Sequence, residues 1–436
     1  MDFPKILILI QPFTNNTGGG ITLSNLFKGW PKNKLAVASL PGLINTNIVT
    51  DICDTYYQLG EKEMTWKFPF NMIKRKYTSG LLDFHNHSVQ EIVPKKSKLR
   101  SRVLINYVEP SLKWLGLMET IYKLDLSEKF CKWLDEYQPD IIYAQAHGRN
   151  RVRFCSRVKQ YTNKPMVFHM MDDWPEFVRG ESIFGKYWEK VVDKEFKKLL
   201  EVSDLHLGIS ELMEVEYLRR YNIQFKAFHN PIDFDFWKKG QKSNWQINGE
   251  YPKILYAGRM GLGIEKSLKL LAEAISIINK KSGRSIQFIL QVAEKKKWMN
   301  KFKCIKHRPF VPYEQLPEKF GEADILYLPY DFSEKAVKFI KYSMPTKASE
   351  YMISGTPILI FAPGDTALVN YAEKYHWAKV VKDENIEELV NSVEKLLDCP
   401  EERERYGKSA ILLAKDKHEA FKVRNDFRKA LISVIE

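Results

Sequence analysis

Short hydrophobic runs alternate along this chain with amphipathic stretches of helical period. The first run, Lys5–Gln11, is apolar on both faces, as a central parallel strand must be. It leads into Asn15-Asn16-Thr17-Gly18-Gly19-Gly20, after which Leu23, Leu26, Phe27 and Trp30 recur at helical spacing and predict a helix from about Ile21. Strand, glycine loop and helix in this order open a doubly wound fold. The alternation returns with strands at Ile141–Ala144, Met166–His169, Leu205–Gly208 and Phe225–Phe228, and helices near Val152–Gln160 and Lys186–Val202. Ser210 stands where it would cap a further helix, and His229-Asn230-Pro231 reads as a turn.

Lys238–Gly249 is polar and reads as an interdomain linker, after which the pattern restarts. Lys253–Ala257 is a strand, Gly258–Gly263 a glycine-containing loop and Ser267–Lys280 an amphipathic helix. Further strands fall at Ile286–Val292, Ile325–Leu328, Ile358–Phe361 and Lys379–Val381, and the chain from about Glu401 to Glu436 is helical and charged. The expected class is therefore α/β, with two Rossmann-like doubly wound domains, 1–237 and 238–415, facing a central cleft. A final helix, 416–436, returns to the first domain, and 59–115, which does not keep the alternation, is an elaboration of that domain. Ligands of such sheets bind at the carboxyl ends of the strands, so the cleft is the expected site.

The stretch Ser343–Pro357 carries the most chemistry. Pro345 suits the first turn of a helix with Ser343 or Met344 at the cap, while Gly355 ends it and Pro357 prevents continuation. A helix N-terminus binds anions. Lys347 and Glu350 share one helical face. A first-turn lysine opposes the helix dipole, a cost that a bound phosphate removes. A carboxylate one turn later can accept hydrogen bonds from ribose hydroxyls.

This segment resembles the donor-binding helix of retaining GT-B glycosyltransferases of the family-4 type, the glycosyl transferases group 1. Pro345, Lys347, Glu350, Tyr351, Met352, Gly355 and Pro357 fit the family's run P-x-K-x-x-E-Y-M-x-x-G-x-P. The likeness extends through Ser203-Asp204, Ile209-Ser210, Asn230-Pro231-Ile232-Asp233, Phe236, Tyr256-Ala257-Gly258-Arg259, Val311-Pro312-Tyr313, Leu316, Ala323-Asp324 and Leu328-Pro329. It implies a GT-B fold and a nucleotide-diphosphate sugar as donor, with no metal and no other cofactor. Glu350 would then hold the ribose, and Lys347 and Arg259, with Lys266 as a further candidate, would neutralise the diphosphate. Backbone at Gly19 and Gly20 would approach the donor phosphate or the acceptor, and backbone near Phe310 and Val311 would read the base. The sequence departs from the family in one place. Many members carry a second glutamate eight residues before the position of Glu350, where this chain has Tyr342; Asp331 or Glu334 in a longer loop are the candidate substitutes.

Gln145 and His147 lie just past the strand Ile141–Ala144, while His169 ends the strand Met166–His169 and Asp172 and Asp173 follow it. Polar groups at strand ends open toward the expected cleft and could position or deprotonate an acceptor hydroxyl, so His147, His169, Asp172 and Asp173 are the candidate catalytic residues.

The net charge of +14 points to an acidic partner. No nucleic-acid-binding motif accompanies it, so nucleic acid is not among the expected partners. The excess concentrates in Trp66–Lys113, where Lys67, Lys74, Arg75, Lys76, Lys95, Lys96, Lys98, Arg100, Arg102 and Lys113 mingle with aromatic residues, a pattern that suits an anionic membrane surface or a lipid-linked acceptor. The five scattered cysteines show no C-x-x-C spacing, which argues against a disulfide framework or a zinc site and for a reducing compartment. No run approaches the ~20 apolar residues of a membrane span, and Ile6–Ile10 reads as a strand rather than a signal peptide. The expectation is a cytoplasmic enzyme, peripheral at the inner face of a membrane. By family analogy it would build bacterial surface polysaccharide or glycoconjugate on a glycan or lipid-linked acceptor. A nucleotide-sugar 2-epimerase of the same architecture and a non-catalytic binding protein are the rival readings.

Overall fold

The computed structural model describes residues 3–84, 109–117, 120–178, 182–247, 249–261 and 263–436. Much of the basic stretch singled out above, including Lys95, Lys96, Lys98, Arg100 and Arg102, lies outside the described residues. The chain forms two compact units, Met1–Phe228 with Arg424–Glu436, and His229–Val423.

The first unit contains β1 (Ile6–Leu9), β2 (Leu35–Ser39), β3 (Tyr56–Gln58), β4 (Met64–Trp66), β5 (Gly80–Leu82), β6 (Tyr122–Leu124), β7 (Ile141–Ala144), β8 (Met166–Met170), β9 (Leu205–Gly208) and β10 (Lys226–Ala227). Its main sheet runs β10-β9-β8-β7-β1-β2-β3-β5 and is parallel except for β5, which pairs antiparallel with β3. β1 and β7 lie side by side with Ile6 opposite Ile141, and every residue of both is buried, which explains why neither shows polar alternation. β4 and β6 pair separately and antiparallel, so the elaboration contributes the edge strand β5 and one strand, β4, of a small ribbon that β6 completes. The fully buried Glu63 in it accepts from the hydroxyls of Tyr57 and Ser127, both at Oε1.

The first helix begins earlier than its apolar spacing predicts. It spans Gly18–Phe27, because Thr17 caps it by accepting the Gly20 N–H, and the three glycines form its first turn rather than a loop. Gly20 is dictated by packing, since a Cβ there would lie 2.0 Å from Thr14 Oγ1. The last helix, Ala420–Ile432, ends in this unit: Phe427 meets Phe27 at 5.2 Å and Phe228 at 5.4 Å between ring centres, and Arg424 Nε donates to the Asn25 carbonyl.

The second unit contains β11 (Lys253–Ala257), β12 (Gln287–Gln291), β13 (Ile305–Arg308), β14 (Ile325–Pro329), β15 (Ile358–Phe361) and β16 (Lys379–Val381). The order is β13-β12-β11-β14-β15-β16 with every pair parallel. Strand order reverses between β11 and β14, which creates the switch point where doubly wound sheets bind ligands. The helix after β11, Glu265–Ser282, buries Leu268, Leu271, Ile275 and Ile278 in the core. Among the described residues no helix is long and apolar enough to cross a membrane.

The polar stretch Lys238–Gly249 lies within the second unit and packs against it instead of spanning freely between domains. Its polar groups serve helix C-termini, whose last carbonyls need donors. The Lys242 N–H donates to Ser354 O, Gln241 Nε2 to Ile353 O, and Trp245 Nε1 to Gly355 O, all at the end of the helix Thr346–Ser354. Lys242 Nζ turns to a second helix end and donates to the Gly321 and Ala323 carbonyls at 2.8 and 2.6 Å. Lys242→Met removes both bonds while keeping the stem. Denaturant titration should show the second unit destabilised by about 1–3 kcal/mol; an unchanged midpoint would show that the strap adds nothing to stability.

Candidate active site

The carboxyl end of β11 is fixed by two side chains of the Thr346–Ser354 helix. Lys347 Nζ donates to the Ala257 carbonyl at 3.0 Å and lies 4.3 Å above the Tyr256 ring. Tyr351, one turn further, receives the Ala257 N–H at 3.0 Å. Tyr256 in turn donates its hydroxyl to the Arg259 carbonyl at 2.6 Å, which sets the turn that follows. Between them Gly258 has φ 152°, and a Cβ there would lie 2.1 Å from Lys347 Nζ. The positive φ favours glycine here, and a side chain would also push the lysine off the strand end. That contact, the Tyr256 cation–π pair and the Tyr351 anchor were beyond sequence reasoning. The alternation of Tyr256 and Gly258 with the distant Lys-Glu motif was the only trace of them.

The helix starts one residue later than its proline suggests. Pro345 is itself the cap residue, extended at φ −67° and ψ 133° with no side-chain cap bond, while Ser343 Oγ donates back to Phe339 O. This leaves Lys347 in the first turn at the positive end of the dipole. Desolvation lowers the Lys347 ammonium to about 8, and the Arg259 charge adds to this against the opposing pull of Glu350. Desolvation raises Glu350 to about 7, with the Lys347 charge and a Tyr313 hydrogen bond acting the other way. A polar pair held at these values is poised to gain from an anion beside the lysine and hydroxyls beside the glutamate.

Four further donor-side candidates, Arg259, Lys266, Phe310 and Val311, belong to the same unit. Arg259 is exposed directly after Gly258. Lys266 is also exposed and pairs with Glu384, so its charge has a partner already. Phe310 and Val311 follow β13 and precede the Tyr313–Gln315 turn, with the Phe310 ring exposed. Tyr313 stacks on Phe236 with ring centres 5.0 Å apart. Tyr342 is buried and Glu334 is exposed in the first turn of Glu334–Ile340. Asp331 is not free to replace the family's second glutamate. Its two oxygens accept the Ser267 and Lys266 N–H groups and cap the Glu265–Ser282 helix, whose own cap residue, Ile264, has no side-chain acceptor.

In the first unit the strand order reverses between β1 and β7. There the Gln11 N–H donates to Leu9 O across Ile10, which has φ 74°. This is a γ-turn of the strained, positive-φ kind, at a β-branched residue. It persists because the Ile10 N–H donates to Ala38 O and Ser39 Oγ to Ile10 O, at 2.8 and 2.6 Å. The turn aims Gln11 toward the next helix. Gln11 and Gln145 each place a side-chain oxygen beside Gly19, 3.7 and 3.5 Å from where its Cβ would be. Gly19 and Gly20 thus sit in the first helical turn, against the ends of β1 and β7.

Gln145 Nε2 donates to the Tyr143 hydroxyl at 3.1 Å, which meets His169 Nδ1 at 2.5 Å. The His169 ring is closed off from solvent, contrary to the expectation that it opens into a ligand site, because β8 runs on to Met170 and the ring packs against Tyr143. Burial lowers it to about 3, opposed by a Gly208 backbone bond, so the imidazole is neutral at physiological pH. His147, beyond β7 and 6.1 Å from the Trp174 ring, is lowered to about 4 by burial and by Arg151. Asp172 is half-buried in the loop after β8. Asp173 is fully buried and accepts from Tyr217 at 2.7 Å and from both terminal nitrogens of Arg220 at 3.0 and 2.8 Å. Its lone pairs are taken up in holding that loop to the Glu211–Tyr221 helix, which argues against the catalytic role expected of it. The structure thus gathers Lys347, Glu350 and Gly258 at one switch point and Gln11, Gly19 and Gln145 at the other. Among the described residues no group of three or more His, Cys, Asp or Glu is arranged to hold a metal ion.

This geometry defines a class of protein. The fold is GT-B. Over the whole chain it is similar to sucrose-phosphate synthase from Thermosynechococcus elongatus, with TM-score 0.61, 11% identity and 99% of each chain covered. It is also similar to Anabaena HepE in complex with UDP and glucose, with TM-score 0.57, 12% identity and 99% of this chain and 100% of that chain covered. A UDP-N-acetylglucosamine 2-epimerase described from Listeria monocytogenes follows at TM-score 0.51 and 12% identity, covering 99% of this chain and 96% of its own. No curated protein sequence matches the chain. Residues 238–412, most of the second unit and all of the Lys347–Glu350 site, match the family Glycosyl transferases group 1. The chain thus has the GT-B fold, and its second unit carries a domain that matches the Glycosyl transferases group 1 family.

Arg220→Met separates a structural Asp173 from a catalytic one. It strands a buried carboxylate, and the urea midpoint of the first unit should fall by the equivalent of about 3–5 kcal/mol. Stability equal to wild type would show that Asp173 does not depend on this pair.

Proposed function

We propose that the chain transfers a hexose-type sugar from a nucleoside-diphosphate sugar to a glycan or lipid-linked acceptor, with retention at the anomeric carbon. The observation that carries this is the Lys347–Glu350 pair at the β11–β14 switch point, one turn from a helix N-terminus and inside the segment that matches the family. The diphosphate lies at the start of the Thr346–Ser354 helix, where Lys347, Arg259 and the helix N–H groups balance its charge without a metal ion. Glu350 accepts two hydrogen bonds from the ribose. The UDP complex of the Anabaena relative supports a donor of this class. As the bond from the anomeric carbon to the diphosphate breaks, the leaving diphosphate takes the proton of the acceptor hydroxyl, whose oxygen bonds to the same face of the sugar. His147, neutral at pH 7, and Asp172 position the acceptor. The setting that fits is assembly of a bacterial surface polysaccharide or glycoconjugate at the cytoplasmic face of a membrane.

Thermal shift against UDP, GDP, ADP, CMP and TDP, with and without magnesium, tests the donor site. One diphosphate should raise the melting temperature by mass action, indifferent to magnesium, and Glu350→Ala should abolish the shift. The pH dependence follows from the two groups. Binding wants Glu350 ionised, which needs pH above about 7. It also wants Lys347 protonated, which is lost above about 8 in the free protein, so affinity should peak near these values and fall on both sides. In Glu350→Gln the acid limb should vanish. A flat pH profile in wild type would sink the clamp.

With donor and acceptor in hand, NMR of the product reports the anomer. Inversion would overturn same-face attack, and epimerised donor without acceptor would favour the isomerase.

A further inference from the structure

We propose that the first unit docks on an anionic phospholipid bilayer through a ridge formed by Trp114–Leu117, Ile183–Tyr187 and the Phe68–Met72 edge. The inference rests on exposure and contact geometry and is independent of the sugar-transfer reading. Large apolar side chains scattered singly over a surface need no explanation, but a contiguous set marks an interaction site. Trp114, Ile183, Phe184 and Tyr187 each keep more than half of their surface in solvent, and Phe68 and Met72 keep 77%.

These residues come from three distant segments that the fold sets side by side. The Ile183 N–H donates to the Trp114 carbonyl at 3.1 Å, which joins the first two. Gly116, at φ 65°, tightens the junction, since a Cβ there would lie 2.7 Å from Ser182 Oγ and 3.0 Å from Trp188 Nε1. The Thr120 and Ile121 N–H groups donate to Leu117 O, and the Lys67 N–H donates to Ile121 O, which brings Phe68 and the Phe70–Ile73 helix to the same edge. Leu115 and Leu117 add further exposed apolar surface between them.

Charge selects the occupant. Lys67, Arg75, Lys76, Lys186 and Lys190 are exposed along these segments, and Met64–Thr78 contains no acidic residue. Lys74 lies 4.8 Å over the Trp66 ring and Arg75 5.6 Å over that of Tyr77, so the cations stand beside aromatic faces. A second copy of the chain meeting this face by two-fold symmetry would set these cations against their own kind. An anionic bilayer takes both components at once: headgroups meet the lysines, while Trp, Tyr and Phe settle at the interface. The Ile183–Tyr187 part is absent from the basic stretch noted in the sequence, because it precedes and begins a helix that reads as amphipathic core.

Flotation of the full chain with vesicles tests the proposal. The protein should partition onto phosphatidylcholine vesicles containing phosphatidylglycerol and not onto phosphatidylcholine alone, and high salt should weaken the binding. The doubly substituted Ile183→Ser/Phe184→Ser and Lys186→Glu/Lys190→Glu chains should each bind roughly tenfold more weakly. Their melting curves should match wild type, since all four positions are exposed. Absence of binding by wild type would overturn the proposal, as would binding by both variants as tight as that of wild type. A concentration-dependent dimer that Ile183→Ser/Phe184→Ser dissociates, with no vesicle binding, would assign the ridge to self-association instead.

Discussion

The position of one ammonium group organises the second unit. Lys347 Nζ reaches the last carbonyl of β11 and sits over the ring of Tyr256, and both contacts require that nothing project from position 258. A glycine there lets a first-turn lysine fold back on the strand end instead of extending into water. That placement pins the helix to the sheet at the switch point, brings Glu350 to the same surface and desolvates both charges. Keeping a cation near the positive end of a helix dipole is a cost that an anion bound there would offset.

Helix termini account for much of the remaining polar structure of this unit. Asp331 caps one helix from another strand's exit, and the strap 238–249 supplies donors to two helix ends. The strap leads from the crossing after Phe228, and the return crossing follows Val423. On the second unit the two passing segments are tied directly, with the Ile232 N–H donating to His418 O and the Ala420 N–H to Ile232 O. Polar composition here reflects satisfied backbone, not flexibility.

The first unit organises its switch point differently, through neutral polar groups. The strained turn at Ile10, held by Ala38 and Ser39, presents Gln11, and the chain from His169 through Tyr143 orients Gln145. Both histidines near this point are driven neutral by burial. Such a surface offers hydrogen bonds without net charge, which suits hydroxyl-rich ligands better than phosphates. Asp173, a buried charge in the loop after β8, is neutralised by Arg220 and serves the loop.

By itself the sequence determined most of the strands and the Lys347–Glu350 motif, because both are local. Strands buried on both faces read as unbroken apolar runs, helices as periodic stripes, and Lys347 and Glu350 share a face by spacing alone. Tertiary structure decided what each polar residue is used for, since the partners are remote in sequence. Asp173 is removed from catalysis by an arginine 47 positions away, and Asp331 is made a cap by an N–H 64 positions away. The γ-turn at Ile10 defies the preference of a β-branched residue and exists only because neighbouring strand bonds hold it. The apolar ridge has the same origin: three segments, none unusual alone, become a surface when backbone hydrogen bonds lay them side by side. Local patterns are written in local sequence, whereas burial, pairing and exposure depend on what the completed fold places next to each group.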